Sequence, residues 1–288
     1  MKEIVEPAYA KLNLCLDVLG LCPNGYHELV TVMHSCTLHD DVHVRLTEDG
    51  VFRAKSNRSY IPDDERNVAA RAARVYLESV GLEGFGADIY IHKRIPVGAG
   101  MGGGSSDAAA VLRALDKLTG KALGEERLRE LGGEVGSDVP FCIAGGAALA
   151  RGRGEILEPL PAMTGCPLVI CKPQFSLSTP ELFRRVDART ASIRPDTSGL
   201  VRSLCEGDVS GVARRLFNVF EDVLPRRCGE IAVIKSRLLD LGALGVVMTG
   251  TGSAVFGIFP SSRAAEDACR VLSERYADCF AAEAGERL

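Results

Sequence analysis

A glycine-rich stretch at residues 96–107 constrains the fold of this chain more than any other feature of its sequence. Before it, Ile89 and Ile91 alternate with polar residues, which predicts a strand. After it, apolar residues recur at helical spacing over residues 108–118, and Gly120 then ends the helix. Glycines at a helix N-terminus let an anion approach unpaired backbone N–H groups and the positive end of the helix dipole. The stretch therefore predicts a phosphate-binding loop.

Two familiar glycine motifs fit this loop only in part. Gly98-x-Gly100-x-x-Gly103 matches the dinucleotide fingerprint, but that motif usually opens a fold and is followed about 20 residues later by an acidic ribose ligand. The loop lies far from the start of this chain, and nothing near residue 120 resembles such a strand end. The P-loop motif needs Lys and then Ser or Thr after its second glycine, and Gly104 stands in the lysine position.

A third interpretation of the loop uses the residues that start the helix. Ser105, Ser106 and Asp107 can cap free N–H groups, or they can meet a phosphate or its metal. A capped helix after a flexible turn is the plainer alternative. Such a turn does not need five glycines in seven residues, which favours an anion site.

Length, charge and cysteine usage exclude several classes of protein. A chain of 288 residues can bury a large core and form two lobes. With a net charge of −4, the chain has no basic stripe that would bind nucleic acid or a membrane surface, so we expect a small-molecule partner. We also expect a monomer or weak homodimer. Ten cysteines without a C-x-x-C pair predict reduced core residues. Because the sequence has neither an export signal nor a long apolar run, we expect a cytoplasmic protein.

Two polar residues stand out in an alternating segment near the N-terminus. Residues 11–18 alternate between polar and apolar, which predicts a half-buried strand. Lys11 and Asn13 fall on its polar face, where both can donate to a phosphate or a hydroxyl. An exposed strand face without function is the equally weighted alternative.

An aromatic pair follows the Pro-Asn-Gly turn at residues 23–25. Tyr26 and His27 stand directly before an apolar strand, where they could stack on and hydrogen-bond a ring. Packing within the lobe is the plainer alternative. Phe183, in a helix predicted to begin at Ser178, is a further aromatic residue in the other half of the chain.

The segment His-Asp-Asp-Val-His at residues 39–43 has the composition of a metal site. Val42 and Val44 continue a strand period, so we interpret the charged residues as a solvated turn. No metal-ligating residue is predicted anywhere in the chain.

Three positions around the glycine loop carry further expectations. Asn67 is predicted to start a helix that ends near Gly81. Lys93 and Arg94, at the end of the strand before the loop, are either surface charges or reach a nucleotide. Asp138 stands alone among apolar residues, where a carboxylate either caps a short helix or performs proton or metal chemistry.

The second half of the chain contains another candidate anion loop. Two apolar strands within residues 246–259 flank a small polar turn that includes Gly250 and Thr251. The composition changes near residues 155–165, so we divide the chain into domains at 1–158 and 159–288.

Taken together, these stretches resemble the GHMP small-molecule kinases over essentially the whole chain. The matching motifs are Ala-Tyr-Ala-Lys-Leu-Asn-Leu at 8–14, Asn-Gly-Tyr-His-Glu-Leu at 24–29, the glycine loop, Gly-Ser-Asp-Val-Pro-Phe at 136–141, Asn-x-Phe-Glu at 218–221 and Gly-Thr-Gly-Ser at 250–253. Ala99, Met101 and Ser137 depart from residues common in the family, but all three stay small or apolar. The resemblance implies an α+β fold of two α/β lobes with a left-handed β-α-β crossover in the N-terminal lobe, against the usual right-handed rule. It also implies ATP on the N-terminal lobe and catalysis in the cleft between the lobes.

The resemblance further implies a reaction and the residues that serve it. Magnesium-assisted transfer of the ATP γ-phosphoryl to the 2-hydroxyl of a cytidine diphosphate conjugate of methylerythritol is expected, a step of non-mevalonate isoprenoid synthesis. Asp138 is implied as general base with Lys11 as its electrostatic partner, and the cytosine is expected between Tyr26 and Phe183 with His27 bonding its edge. The remaining implied residues are Asn67, Lys93, Pro96, Gly98, Gly100, Gly102, Gly103, Gly104, Ser105 and Ser106 for ATP, and Asn13, Gly250 and Thr251 for the substrate.

Overall fold

The computed structural model describes residues 3–23, 25–189 and 193–285, and the chain folds into two compact units. The first unit comprises the described residues of Met1–Ala10, His39–Ile95 and Gly102–Gly145. The second comprises those of Lys11–Leu38, Pro96–Met101 and Gly146–Leu288. Both units are discontinuous along the chain, and the division at 158/159 stays a prediction. The middle residue of the predicted turn at 23–25 lies outside the described residues.

The first unit packs four helices against a small sheet. Its elements are the start of β1 (Glu3–Leu21), the end of β2 (His27–Thr47), β3 (Phe52–Ser56), α1 (Val68–Ser79), β4 (Gly86–His92), α2 (Gly103–Thr119), α3 (Gly124–Val135) and α4 (Val139–Ala144). Strand β4 pairs antiparallel with β2 and parallel with β3. Alanines dominate the buried faces of α1 and α2, so the two helices can approach each other closely.

The second unit is built on an antiparallel sheet with helices against it. It contains the rest of β1 and β2, then β5 (Ala147–Gly152), β6 (Ile156–Leu160), β7 (Pro167–Lys172), α5 (Thr179–Asp187), α6 (Thr197–Cys205), α7 (Val209–Arg214), β8 (Phe217–Asn218), α8 (Gly229–Asp240), β9 (Gly245–Met248), β10 (Val255–Ile258), α9 (Ser262–Ser273) and β11 (Asp278–Glu283). Two 3₁₀ turns, Val219–Val223 and Arg226–Cys228, lead into α8. Strands β11, β7, β10 and β9 form this antiparallel sheet in that order, and the remaining strands of the unit belong to another sheet, in which β8 pairs parallel with β1.

The fold is α+β, as predicted, and the local patterns placed its main elements correctly. The strand before the glycine loop is β4, the helix after it is α2, and Gly120 stands at the C-terminal cap of α2. Asn67 caps α1, Ser178 caps α5, and two strands flank the turn near Gly250. Across the described ranges, the structure contains no helix that combines the length and apolarity needed to cross a bilayer.

Two burial predictions were wrong. Residues 11–18 are not half-buried, because Lys11, Asn13 and Asp17 on the polar face are buried as well, each held by hydrogen bonds. The segment 39–43 is not a solvated turn. It lies within β2, and Asp40 is fully buried because it is paired with Lys93.

Candidate active site

In the first unit, helix α2 presents a free N-terminus to solvent. Gly102 is the N-cap residue in the left-handed region, with φ of 68°, and no side chain caps the helix. The Ser106 hydroxyl instead donates to the Tyr9 carbonyl oxygen at 2.7 Å, and Asp107 is ion-paired. Of the two alternatives for the residues that start this helix, the structure thus excludes capping by Ser106 and Asp107, and contact with a phosphate or its metal stays a prediction. Uncapped N–H groups at a helix start are a suitable partner for phosphate oxygens.

Gly104, in the first turn of α2, has no packing reason to be glycine. A Cβ placed on it would come no closer than 4.0 Å to another side chain, Val68, and its φ lies outside the left-handed region. Alanine would therefore fit and would favour the helix. The open space beside Gly104 is what an approaching anion requires. Gly103 differs, since its Cβ would lie 3.3 Å from Lys93 Nζ.

Lys93 lies beneath this helix start between two carboxylates. Its Nζ donates to Asp40 Oδ2 at 2.5 Å and to Asp107 Oδ2 at 2.7 Å, and all three side chains are buried. The prediction left open whether Lys93 is a surface charge, and the structure excludes that alternative. Its role toward a nucleotide stays a prediction.

The two carboxylates change the ionisation of this cluster. Burial alone lowers the pKa of Lys93, but the charges of Asp107 and Asp40 outweigh burial and raise it above its usual value. Burial raises the pKa of Asp107 to about 7, since the opposing effect of Lys93 is incomplete and Asp40 adds to the rise. Lys93 thus keeps its charge at neutral pH, and protonation of Asp107 is favoured relative to an exposed aspartate.

We expect Asp107 to make folding stability depend on pH. A carboxyl whose pKa rises on folding stabilises the native state below its unfolded pKa, and that contribution is lost as pH rises through the folded pKa. The free energy of unfolding should therefore fall by about 1 kcal/mol per pH unit between pH 5 and 7 through this group. Urea denaturation at pH 5 and 7 should show that fall in the wild type and a smaller one in Asp107→Asn.

Ser106→Ala is the control for that experiment. It removes the neighbouring hydrogen bond to Tyr9 without removing an ionisable group, so it should lower stability equally at both pH values. If the free energy of unfolding changes equally between the two pH values in the wild type and in Asp107→Asn, the prediction is wrong.

Two other predicted residues lie in the first unit. The Asn67 side chain accepts from the Ala69 N–H at 3.0 Å and donates to the Pro62 carbonyl oxygen at 2.9 Å, so both ends serve the local fold. Asp138 stands at the N-cap position of α4, but its side chain does not cap the helix. Of the two alternatives for Asp138, the structure thus removes the cap and leaves the chemical role as a prediction.

In the second unit, the first part of the glycine loop packs against the loop after β9. The Ala254 N–H donates to the Ala99 carbonyl oxygen at 3.2 Å. Gly100, with φ of 76°, leaves no room for a Cβ against the Thr249 carbonyl oxygen. The two anion loops predicted separately from sequence therefore lie together here.

The polar face of β1 joins the same corner of the second unit. The Lys11 N–H donates to the Met101 carbonyl oxygen, and Lys11 Nζ donates to Asn13 Oδ1 at 2.7 Å. The Asn13 N–H donates to Thr249 Oγ1 at 3.0 Å, and its Nδ2 donates to Thr31 Oγ1 at 2.8 Å. Lys11 and Asn13 are thus positioned beside both loops. Sequence analysis missed Thr31 and Thr249, whose partners are remote in sequence.

The remaining loop residues lie in the same unit. Asn218 Nδ2 donates to the carbonyl oxygens of Met248 and Gly250, which fixes the turn. The hydroxyls of Thr251 and Thr179 are 2.9 Å apart. Pro96 and Gly98 also belong to this unit, and Gly98 has φ of 65°.

The aromatic residues predicted for a base are also in the second unit. The rings of His27 and Phe183 stack with centroids 4.4 Å apart, and His27 Nε2 lies 2.8 Å from Asp187 Oδ1. Tyr26 is exposed, and the Arg153 guanidinium lies 4.9 Å from its ring centroid. Sequence analysis missed Arg153 and Asp187, which carry no motif. A cytosine between Tyr26 and Phe183 stays a prediction.

Two alternatives from the sequence can be compared with this geometry. Residues 103–146 are all described, and there α2 is followed by α3 and α4 rather than by a parallel strand. The dinucleotide fold requires a βαβ unit at its glycine loop, so the fingerprint match is coincidental. No group of three metal-ligating side chains occurs within residues 3–23, 25–189 and 193–285.

Comparison with known proteins identifies the family. The family model described as GHMP kinases N terminal domain matches residues 67–146, and that described as GHMP kinases C terminal matches residues 200–278. A relative from Syntrophomonas wolfei named 4-diphosphocytidyl-2-C-methyl-D-erythritol kinase is 43% identical over 279 residues, which are 97% of each chain. The chain belongs to the GHMP kinases. It is accordingly a small-molecule kinase.

Solved structures agree with this GHMP kinase assignment. The crystal structure of a 4-(cytidine 5'-diphospho)-2C-methyl-D-erythritol kinase matches with a TM-score of 0.82 and 34% identity, covering 98% of this GHMP kinase and 99% of that chain. A homoserine kinase from Cytophaga hutchinsonii matches with a TM-score of 0.76 at 21% identity, covering 99% and 96% of the two chains. At that identity the second likeness concerns the fold alone.

Proposed function

We propose that this GHMP kinase transfers the γ-phosphoryl of ATP to the 2-hydroxyl of 4-diphosphocytidyl-2-C-methyl-D-erythritol, in isoprenoid precursor synthesis. The observation that carries the proposal is the relative of that name, 43% identical over 97% of each chain. The geometry agrees with it, because the first N–H groups of α2 are not capped by a side chain and the space beside Gly104 is open, as an anionic nucleotide requires.

In this reaction the chain positions two substrates and moves one proton. The 2-hydroxyl gives its proton to Asp138, its oxygen bonds to the γ-phosphorus, and the bond from that phosphorus to the ADP oxygen breaks. The Lys11 ammonium would stabilise the negative charge that develops on the substrate oxygen. Both roles rest on the family motif. The backbone N–H groups of the glycine loop would hold the triphosphate while the transfer takes place.

Magnesium is part of this proposal. When bound, it offsets the triphosphate charge and stabilises the leaving group. Mg²⁺ commonly keeps several waters and binds through nucleotide phosphates with one or two protein oxygens.

The reaction is tested by incubating the protein with Mg-ATP and the cytidylyl substrate and following ADP release and product mass. One ADP and one phosphorylated substrate per turnover are expected. ATP binding without turnover would indicate a nucleotide sensor instead. Turnover only with a different alcohol would indicate another GHMP kinase specificity.

Tyr26→Ala should weaken binding of the cytidylyl substrate by about 5- to 150-fold, because stacking on one aromatic ring contributes about 1 to 3 kcal/mol per base. ATP affinity should stay unchanged. Stacking is indifferent to base identity, so we assign the choice of cytosine to a hydrogen bond from His27. His27→Ala should therefore reduce the difference in binding affinity between cytidine and uridine analogues. Calorimetric titration of each variant with both ligands measures these effects.

Tyr90→Ala is the control, since Tyr90 is an exposed tyrosine on β4 outside the proposed site. It should bind both ligands like the wild type. Parallel losses of ATP and substrate affinity in Tyr26→Ala would indicate that Tyr26 only supports the fold.

A further inference from the structure

Asp40 connects the two ends of the glycine loop within the first unit. One carboxylate oxygen, Oδ1, accepts from the backbone N–H groups of Arg94 at 2.5 Å and Ile95 at 2.8 Å, where the chain leaves β4 for the loop. The other, Oδ2, accepts from Lys93 Nζ. Asp40 is fully buried, so water does not compete for these bonds.

Lys93 extends this connection to the far end of the loop. Its Nζ also donates to Asp107, in the second turn of α2, and lies close under Gly103 in the first turn. Its backbone is held as well, because the Asn57 side chain accepts from the Lys93 N–H at 2.9 Å and donates to the Lys93 carbonyl oxygen at 3.3 Å. Lys93 thus links the end of β4, where its backbone is held, to α2, where its Nζ is bound to Asp107.

Burying a charged carboxylate on folding costs desolvation energy, whereas burying an apolar side chain at the same position would not. Asp40 satisfies two backbone donors and a cation at once, and each of the three belongs to a residue just before the loop. By contrast, Asp107 Oδ1 is buried and has no hydrogen-bond partner within the described chain. The cluster is therefore organised around Asp40.

We propose that Asp40 is a positioning residue for the nucleotide site, which acts through Lys93 and the backbone of residues 94–95 to fix the entry strand and helix α2 at the spacing that ATP phosphates require. This inference rests on the proposed function of the glycine loop. It concerns placement only, since Asp40 itself is buried and does not reach a ligand. Small displacements of groups that bind phosphate are costly, up to about 100-fold for roughly 1 Å.

Asp40→Asn tests the inference, because the amide oxygen can still accept from residues 94 and 95 while the charge that holds Lys93 is gone. We expect Mg-ATP to bind at least about tenfold more weakly by calorimetry, with the affinity for the cytidylyl substrate unchanged. Amide hydrogen exchange should be faster than in the wild type at residues 94–95 and at residues 106–108, the first hydrogen-bonded amides of α2.

The matched control is Asp116→Asn. Asp116 lies near the other end of α2, where its carboxylate accepts from the Tyr76 hydroxyl and from the Leu123 N–H, so its loss disturbs the same unit away from the loop. This variant should lose thermal stability without losing ATP affinity. If ATP affinity falls equally in both variants in proportion to stability, or is unchanged in Asp40→Asn, the positioning role is overturned.

Asp107→Asn keeps the test decisive if Asp40→Asn does not fold. It leaves Lys93 paired with Asp40 and removes only the negative charge on α2 that attracts Lys93. Weaker ATP binding with unchanged substrate binding is expected, and unchanged ATP binding would overturn the inference. Failure of the wild type to bind ATP would instead overturn the proposed function, and the positioning role with it.

Discussion

Asp138→Asn should lower turnover by about 10² to 10⁴ with little change in ATP affinity, because the amide keeps the shape of the side chain and cannot accept the hydroxyl proton. Asp138 stands at the start of α4 without capping it with its side chain, and the role of general base that the family motif implies stays a prediction. Single-turnover kinetics at saturating ATP and substrate isolate the transfer step from binding.

Glu134→Gln is the matched control for this experiment. Glu134 is an exposed carboxylate on α3, four residues before Asp138, and the substitution removes one negative charge in the same way. It should turn over at the wild-type rate. An Asp138→Asn variant that keeps a tenth or more of wild-type turnover would exclude the role of general base.

Gly104→Ala should separate folding from nucleotide binding. The new methyl group meets no protein atom closer than 4.0 Å, and alanine favours the helix, so stability should be unchanged or raised by up to about 1 kcal/mol. The same methyl group would occupy the space that the proposed phosphate site needs. ATP affinity should fall by about 100-fold, the scale expected when bound phosphates are displaced by roughly 1 Å.

Gly133→Ala provides the comparison, since Gly133 lies within α3 and its added Cβ would also come no closer than 4.0 Å to a neighbour. Thermal denaturation and ATP titration of both variants are required. Both should fold at least as well as the wild type, and Gly104→Ala alone should lose ATP affinity. Normal ATP binding by Gly104→Ala would mean that the phosphates do not approach this turn.

The sequence predicted the elements around the loop because their causes are local. Alternation in β4, helical spacing in α2 and a terminal glycine depend on residues within one or two turns of each other. The placement of Lys11 and Asn13 on one strand face followed from the same period. Their meeting with the loop after β9 depends on Thr249, 236 residues from Asn13, which no local pattern reveals.

Burial and partners were less predictable for a related reason. Asp40 has the sequence context of a solvated residue, and only Lys93, 53 residues away, makes its burial possible. Likewise, Ser106 and Asp107 are residue types that often cap helices. In the fold, Ser106 instead donates to the Tyr9 carbonyl oxygen and Asp107 accepts from Lys93. The sequence shows which side chains are charged, but their partners in the folded chain determine which of these side chains are buried.

The discontinuity of the two units has a consequence for synthesis on the ribosome. The first unit is complete in sequence once Gly145 has been made, so it can fold while the rest of the chain is still being translated. Residues 11–38 and 96–101 belong to the other unit and must wait, because β8 and the loop after β9 are made after the whole of the first unit. During that interval the strand edge at Cys15 and Leu16 lacks its partner β8, and a chaperone that covers this edge would prevent mispairing.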